Sequence, residues 1–238
     1  MSYLGTTKIG KMFLGTVEIA KAYLGTTLVF QSGGNLPYTQ VAYIETDGDA
    51  YIDTGINGND PRSVELKYMP VTTSMQCIIG VGNGNENTDL YYPVALNNSG
   101  KGMIGHRYFY ASDFVVTVNV PIEAKCSMKR NSQVLQVKNT GDLNYTTLSK
   151  TQSSDLQTGK TMFLFAAHNP TDDGTFNECP SGSRLYYCKI YSTDSYTNLV
   201  FDGVPCLYNG EYGMWDRVSD SFFGNANSTG AFSGPSNS

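Results

Sequence analysis

The chain has 238 residues, 16% of them charged and 40% hydrophobic, and it is rich in Gly (25) and Tyr (17). A charged share well below the usual figure of about 25%, with Gly and Tyr in place of the Lys and Glu of helical proteins, excludes coiled coils and helical bundles. A net charge of −5 argues against a surface that neutralises phosphates, so nucleic acid is not an expected partner; no run nears the roughly 18 apolar residues of a membrane span, so membrane insertion is not expected either.

The N-terminus carries a ten-residue repeat: YLGTTKIGKM from Tyr3, FLGTVEIAKA from Phe13 and YLGTTLVFQS from Tyr23. Each unit opens aromatic-Leu-Gly-Thr and sets an aliphatic residue at its seventh position (Ile9, Ile19, Val29). This predicts two short extended segments around a Gly-Thr bend, where glycine enters positive φ without a Cβ clash. Units this short cannot enclose a core singly, and their sum of about 30 residues is below the roughly 40 at which a chain folds without a staple. Tyr3, Leu4, Ile9, Phe13, Leu14, Ile19, Tyr23, Leu24 and Val29 are therefore anchor residues that need foreign cover. That cover is the chain's own second domain, other copies of the chain, or a different protein. The paired glycines, Asn35 and Pro37 in QSGGNLPYTQ read as a linker and favour cover from outside the chain. The expected layout is repeats at 1–32, a linker at 33–40, a main domain at 41–226 and a flexible tail at 227–238. MSYLGTTKIG has neither a basic n-region nor an apolar h-region, so a signal peptide is not expected and the chain is expected to fold in the cytosol.

From Val41 the pattern is all-β, with turn signals every 8 to 12 residues, as in a sandwich or barrel. Expected strands are 49–55, 62–69, 76–81, 103–109, 113–119, 161–167, 184–193 and 199–205. A hairpin is expected from Ile122. There Ile122, Ala124, Cys126 and Met128 alternate with Glu123, Lys125, Ser127 and Lys129. The chain turns at Arg130-Asn131-Ser132 and returns with Leu135 and Val137 facing one way, Gln136 and Lys138 the other. In RLYYCKIY, strict alternation sets Leu185, Tyr187, Lys189 and Tyr191 against Tyr186, Cys188 and Ile190. Both faces are then heavily apolar, and the strand is central.

Catalytic chemistry finds few centres. His106 and His168 are the two histidines, and no nucleophile elbow accompanies them. Glu45 and Asp47 echo a glycosidase carboxylate pair, but Asp47-Gly48-Asp49 is a turn sequence, so no enzyme is expected. Asp172, Asp173 and Glu178 share one loop and are the weak metal candidates. A second loop, GVGNGNENTD, offers Glu86 and Asp89. Calcium would suit such oxygen ligands, though neither spacing is that of an EF-hand, and no cofactor is expected. The five cysteines, irregularly spaced, are read as reduced and mostly buried. Trp215, flanked by Gly and Met, is read as core. Tyr91, Tyr92, Tyr108, Tyr110, Tyr186, Tyr187, Tyr208 and Tyr212 supply faces and hydroxyls on which a sugar or protein could dock.

YIETDGDAYIDTGI, TMFLFAAHN and RLYYCKIY, followed by LVFDGVPCLYNGEYGMWDRVSDSFFGNA, resemble the concanavalin A-like, laminin-G-type sandwich module of structural proteins of phages and prophages of gut bacteria. The resemblance spans roughly residues 41–226. The YLGTT-type repeats resemble short units that precede such modules in fibre-like virion proteins, including those of crAss-like phages. The resemblance implies an antiparallel two-sheet jelly-roll sandwich behind a small N-terminal β-repeat element. It also implies a virion protein made in the host cytoplasm: a fibre or surface-decoration component that docks through its repeats to other virion proteins or to copies of itself, and adheres to a host-surface glycan. The alternative is a free lectin-like carbohydrate-binding module. No contacting residue is carried over by the resemblance.

Overall fold

The computed structural model describes the backbone except at residues 1, 5–6, 10–11, 15–16, 20, 25–26, 32–35, 83–90, 107, 152–156, 173 and 236–238. Side chains are described from residue 36 onward, except at 83–90, 106–109, 152–156, 173 and 236–238. The chain divides into two compact units, Met1–Thr39 and Gln40–Ser238.

In the first unit each repeat is one antiparallel hairpin. β1 (Ser2–Leu4) pairs β2 (Thr7–Ile9), β3 (Met12–Leu14) pairs β4 (Val17–Ile19), and β5 (Lys21–Leu24) pairs β6 (Thr27–Gln31). The equivalent pairs Leu4↔Thr7, Leu14↔Val17 and Leu24↔Thr27 close the three hairpins. The register follows the ten-residue period because the same Gly-Thr pair stands between the closing residues each time. The anchor residues all lie in these strands, and their side chains lie outside the described residues.

A two-residue strand, β7 (Thr39–Gln40), stands at the division. The second unit then runs β8 (Ile44–Thr46), β9 (Ile52–Asn59), β10 (Arg62–Met69), β11 (Gln76–Val81), β12 (Tyr91–Leu96), β13 (Lys101–His106), β14 (Tyr108–Val115), β15 (Ile122–Lys129) and β16 (Ser132–Asn139). It continues through β17 (Thr146–Lys150), β18 (Gln157–Leu164), β19 (Ala167–His168), β20 (Thr175–Phe176), β21 (Arg184–Tyr191), β22 (Leu199–Tyr208), β23 (Glu211–Asp216), β24 (Ser221–Phe223) and β25 (Phe232–Ser233). These form a two-sheet, antiparallel β-sandwich. The larger sheet is ordered β17-β16-β15-β10-β21-β22-β23-β24, with β8 joining β21 to β25. The smaller is ordered β14-β13-β12-β11-β18-β9, with β19 and β20 attached, and β19 runs parallel to β11.

The hairpin at Ile122 forms in the expected register. Lys129↔Ser132 closes it around Arg130 and Asn131, with Asn131 at φ 65. Ile122, Ala124, Cys126, Met128, Leu135 and Val137 enter one core with Val64, Leu66 and Tyr68 of β10 and with Ile52, Ile78, Leu96, Ile104 and Leu164 of the other sheet. Each Val, Leu, Ile or Met side chain among these contributes about 1.5–3 kcal/mol on burial. All five cysteines are buried and free.

The strict alternation expected in β21 fails at one place. Opposite β10 the register slips between Lys67↔Tyr187 and Tyr68↔Leu185, leaving Tyr186 as an extra residue. A bulge of one residue reverses the phase of everything beyond it. Leu185, Cys188 and Ile190 therefore face the core together, while Tyr186, Tyr187, Lys189 and Tyr191 are half-buried outside it. The strand is central, as expected, but only one of its faces is core.

β12 was not expected, and several strands are displaced by a few residues: 49–55 is replaced by Ile52–Asn59 and 113–119 by Tyr108–Val115. β11 and β12 are buried along their whole length. Their outer side carries Cys77, Tyr92 and Ala95, which pack with Met103, Ala167, Met75 and Phe176. The segment from His168 to Ser183, read from sequence as a loop, forms this cover. Cys77 N–H donates to Asn177 O at 2.7 Å, and Asn177 Nδ2 donates to the Tyr92 hydroxyl at 3.3 Å. A strand covered on both faces loses the period-2 signature that sequence reading relies on.

The expected flexible tail from residue 227 is also corrected. Phe232 is buried against Phe165, with ring centroids 5.3 Å apart, and β25 pairs β8. The turn after β8 and the segment 225–231 are tied together side by side. Asp47 accepts from Asp49 N and Ala50 N, each at 3.0 Å, and from Ala231 N at 2.6 Å. Asn225 Nδ2 donates to the carbonyls of Asn227, Thr229 and Gly230 at 3.0–3.1 Å, while its Oδ1 accepts from Tyr51 N and Asn227 N. Gly230 has φ +81, and a Cβ there would lie 2.9 Å from that of Asp49, so this approach is open only to glycine.

Gln133 of β16 is fully buried, and neither end of its amide has a partner. An unsatisfied buried polar group costs about 1–3 kcal/mol. Gln133→Leu is therefore expected to raise stability by about 1 kcal/mol or more in urea unfolding, with an unchanged m-value. A loss of stability would mean that the amide is satisfied in solution by an ordered water.

Candidate functional site

The structure sends most residues singled out by sequence to structural work. Glu45 pairs with Arg184, Oε2 to Nε at 2.6 Å, and the guanidinium lies 4.3 Å from the centre of the Tyr43 ring. Asp47 holds the turn described above. Burial raises its pKa, but the backbone donors Asp49, Ala231 and Ala50 outweigh this and leave it lowered. His168 is buried, stacks on Phe163 with centroids 4.0 Å apart, and places Nδ1 2.9 Å from Thr161 O. Because a carbonyl only accepts, Nδ1 carries a proton there. The side chain of His106 lies outside the described residues.

Of the metal candidates, Asp173 lies outside the described residues. Asp172 Oδ1 accepts from Gly174 N at 3.0 Å and Glu178 Oε1 from the Thr175 hydroxyl at 2.6 Å. Both carboxylates shape their own loop. Among the described residues no three His, Cys, Asp or Glu side chains gather where they could hold a metal ion. Glu86 and Asp89 lie outside the described residues.

Tyr91 and Tyr92 are fully buried and offer no face to a ligand. Trp215 is buried, donates Nε1 to Asp220 Oδ1 at 3.2 Å and meets Tyr208 edge-on at 5.5 Å. Tyr186 carries Lys67 Nζ 5.2 Å from its ring centre and leans on Tyr43. Tyr110, Tyr208 and Tyr212 are half-buried, and the side chain of Tyr108 is outside the described residues.

What the fold assembles instead lies on the outer face of the larger sheet. Cross-strand register sets Lys125 beside Glu65, Glu65 beside Lys189, and Lys189 beside Asp202. The next row sets Lys138 beside Glu123, Glu123 beside Lys67, and Lys67 beside Tyr187. Lys125 Nζ donates to Glu65 Oε1 at 3.1 Å, Lys138 Nζ lies 3.5 Å from Glu123 Oε2, and Arg217 donates twice to Asp202 Oδ2. Around these charges stand four half-buried tyrosines: Tyr187 and Tyr191 from β21, Tyr145 from the segment before β17, and Tyr196 from the turn after β21.

The tyrosines are tied to the carboxylates. The Tyr191 hydroxyl donates to Glu65 Oε2 at 3.5 Å and that of Tyr145 to Glu123 Oε2 at 3.4 Å. Tyr191 and Tyr196 meet edge to face, 5.8 Å between centroids. Tyr196 has φ 55, and its N–H is held by the Ser63 hydroxyl at 3.1 Å. Burial, then the charges of Glu123 and Glu65, pushes the Tyr187 phenol up to about 12; burial, then Glu65 and Asp202, pushes that of Tyr191 up to about 12. Burial likewise raises Tyr145 and Tyr196. All four hydroxyls therefore stay protonated as donors, beside carboxylate acceptors and ammonium donors. Ring faces with both kinds of hydrogen-bonding group at their edges suit a ligand that is apolar on one side and hydroxylated at its rim.

Tyr187 alone of the four was a sequence candidate. Tyr145, Tyr191 and Tyr196 were missed, since residues from three separate segments carry no shared motif. The signal within reach was the run Tyr187-x-Lys189-x-Tyr191 at period 2, which the sequence reading set on one face but joined to Leu185, because the bulge at Tyr186 leaves no mark in the sequence.

No protein-family model matches the chain, and no curated protein matches it. Among solved structures, it is similar to a protein of Bacteroides ovatus provisionally assigned to carbohydrate binding, at 8% identity and a TM-score of 0.56; the match covers 83% of this chain and 61% of that one. The chain thus spans about three-fifths of the length of that neighbour. It is also similar to the CBM40 domain of a Ruminococcus gnavus sialidase, solved with sialyllactose, at 12% identity and a TM-score of 0.47, covering 65% of this chain and 92% of that one. A third neighbour is tailspike protein 2 of an Escherichia coli O157:H7 bacteriophage, at 10% identity and a TM-score of 0.49, covering 70% of this chain and 28% of that one. At such identity the likeness with the Bacteroides protein establishes the β-sandwich fold alone.

Proposed function

We propose that this chain is a non-catalytic virion structural protein, a fibre or surface-decoration component. In this reading its sandwich adheres to a host-surface glycan through the tyrosine face, and its N-terminal repeats dock to other virion proteins or to copies of itself. The observation that carries the adhesive part is the grouping of Tyr145, Tyr187, Tyr191 and Tyr196 around the Lys125–Glu65 pair. Rigid aromatic rings with protonated hydroxyls supply contact area at low conformational cost, and the neighbouring charges satisfy ring hydroxyls of a sugar. The outer side of the smaller sheet carries its own cover, whereas this face keeps its tyrosines half-open. The assignment of the Bacteroides neighbour to carbohydrate binding supports the same reading, as does the resemblance of the YLGTT-type repeats to units of fibre proteins.

The test is a glycan array probed with the full-length chain, followed by the double substitution Tyr187→Ala and Tyr191→Ala. Loss of two ring contacts is expected to weaken retention on the glycans bound by at least about tenfold, with the melting transition of the sandwich preserved. Undiminished binding by the double variant would move the site elsewhere on the sandwich. A free lectin-like carbohydrate-binding module remains the second reading, favoured by the compactness of Gln40–Ser238 as a unit of its own. The two readings part on what the repeats do.

A further inference from the structure

Resting on the glycan reading above, we propose that the ligand carries an anionic group, a carboxylate or a sulfate, which is received by Lys189. The chain as a whole has a net charge of −5, yet the tyrosine face reverses that sign. Lys67, Lys125, Lys138, Lys189 and Arg217 stand there against Glu65, Glu123 and Asp202. Four of the five cations are occupied: Lys125 by Glu65, Lys138 by Glu123, Arg217 by Asp202, and Lys67 by the ring of Tyr186.

Lys189 differs from these four. Register places it between Glu65 and Asp202, but among the described residues it has no ion-pair or hydrogen-bond partner. Glu65 takes Lys125 and the Tyr191 hydroxyl, while Asp202 takes Arg217 at Oδ2 and keeps its Oδ1 buried without a partner among the described residues, out of hydrogen-bond reach of Lys189. Lys189 also shares a strand face with Tyr187 and Tyr191, two residues to either side. A half-buried lysine left over at the middle of an aromatic platform is matched by one anionic group on a ligand stacked across it. The neighbouring carboxylates do not repel that group strongly, because each is already neutralised by its own cation. Stacking on Tyr187 and Tyr191 would hold the sugar ring, and Lys189 would select its substituent.

The experiment uses the full-length chain on an array in which each glycan backbone appears as matched neutral, carboxylated and sulfated forms, at low and high salt. The expected result is retention at least about tenfold stronger on anionic members than on their neutral counterparts, as one charge-assisted hydrogen bond provides, and reduced by salt. Lys189→Gln is expected to erase the difference and Lys189→Arg to keep it; the carboxylated and sulfated arms report which anion is preferred. Equal retention of neutral and anionic members, or a preference untouched in Lys189→Gln, overturns this inference and leaves the glycan reading standing. Retention of no member of the array overturns that reading, and this inference with it.

Discussion

Removal of residues 1–32 is expected to turn an assembled protein into a monomer while leaving the melting transition of the sandwich within a few degrees of the full-length value. The ground lies in the three hairpins. Each is a two-stranded ribbon with strands of three to five residues, and a lone ribbon of this kind is marginally stable in water at best. Aromatic, Leu and aliphatic residues recur in each at the same positions, so there is apolar surface to cover in triplicate. Copies of the chain can meet that need with a single repeated contact, since identical hairpins present identical edges. Sedimentation of the full-length and truncated proteins decides the matter. A full-length chain that sediments as a monomer at all concentrations would remove the assembly role and leave the lectin-like reading. If truncation abolishes assembly and sugar retention together, binding depends on multivalency, which linked weak sites readily produce.

The second large effect is expected at Asn225. Its amide nitrogen faces three carbonyl oxygens, and its amide oxygen faces two N–H groups. Asn225→Asp keeps the shape and the acceptor but replaces the donor by a charged oxygen aimed at three others, with the Asp47 carboxylate in the same junction. A loss of about 3 kcal/mol is expected at neutral pH, read from the denaturant midpoint. The sign of its pH dependence follows from linkage. The carbonyls raise the pKa of the introduced acid in the folded state, so the loss is full above that value and shrinks as the pH falls through it. Asp47 works in the opposite sense. Its folded pKa is lowered, so its own contribution is complete above the ordinary value of 3.8 and fades only below it. Between roughly pH 4 and 8 the comparison with wild type therefore isolates the substitution. A variant whose deficit is flat across that window would show that the new carboxylate swings out to water.

The sequence was legible where one face of a strand is core and the other is wet. From Ile122 to Lys129 and again from Leu135 to Lys138 the alternation holds, interrupted only by the buried Gln133 and the outward Val134, and the hairpin forms as expected. It was illegible where that condition lapses. β12 is covered on both sides, so Tyr91 to Leu96 shows no alternation and was not read as a strand, although β11, equally covered, was read at 76–81 from its apolar run. In β21 the alternation is present, but one extra residue at Tyr186 reverses it midway. The segment after Ala226, polar and rich in Gly and Ser, looked loose because its order comes from Asp47, Asp49 and Tyr51, far away in sequence. The tyrosine site was hidden for a related reason. Tyr145, Tyr187, Tyr191 and Tyr196 are each unremarkable in their own segment, and only the order β16-β15-β10-β21 brings them beside Glu65 and Glu123.

The junction between the turn at Asp47 and the segment ending at Ala231 has one more consequence. β8 and β25 are neighbouring strands, so an early and a late segment of the Gln40–Ser238 unit run side by side about 5 Å apart. A body whose early and late segments meet can be spliced into an exposed bend of an unrelated host with little disturbance to either partner. Exchange of such cassettes between otherwise dissimilar proteins needs no redesign of the recipient.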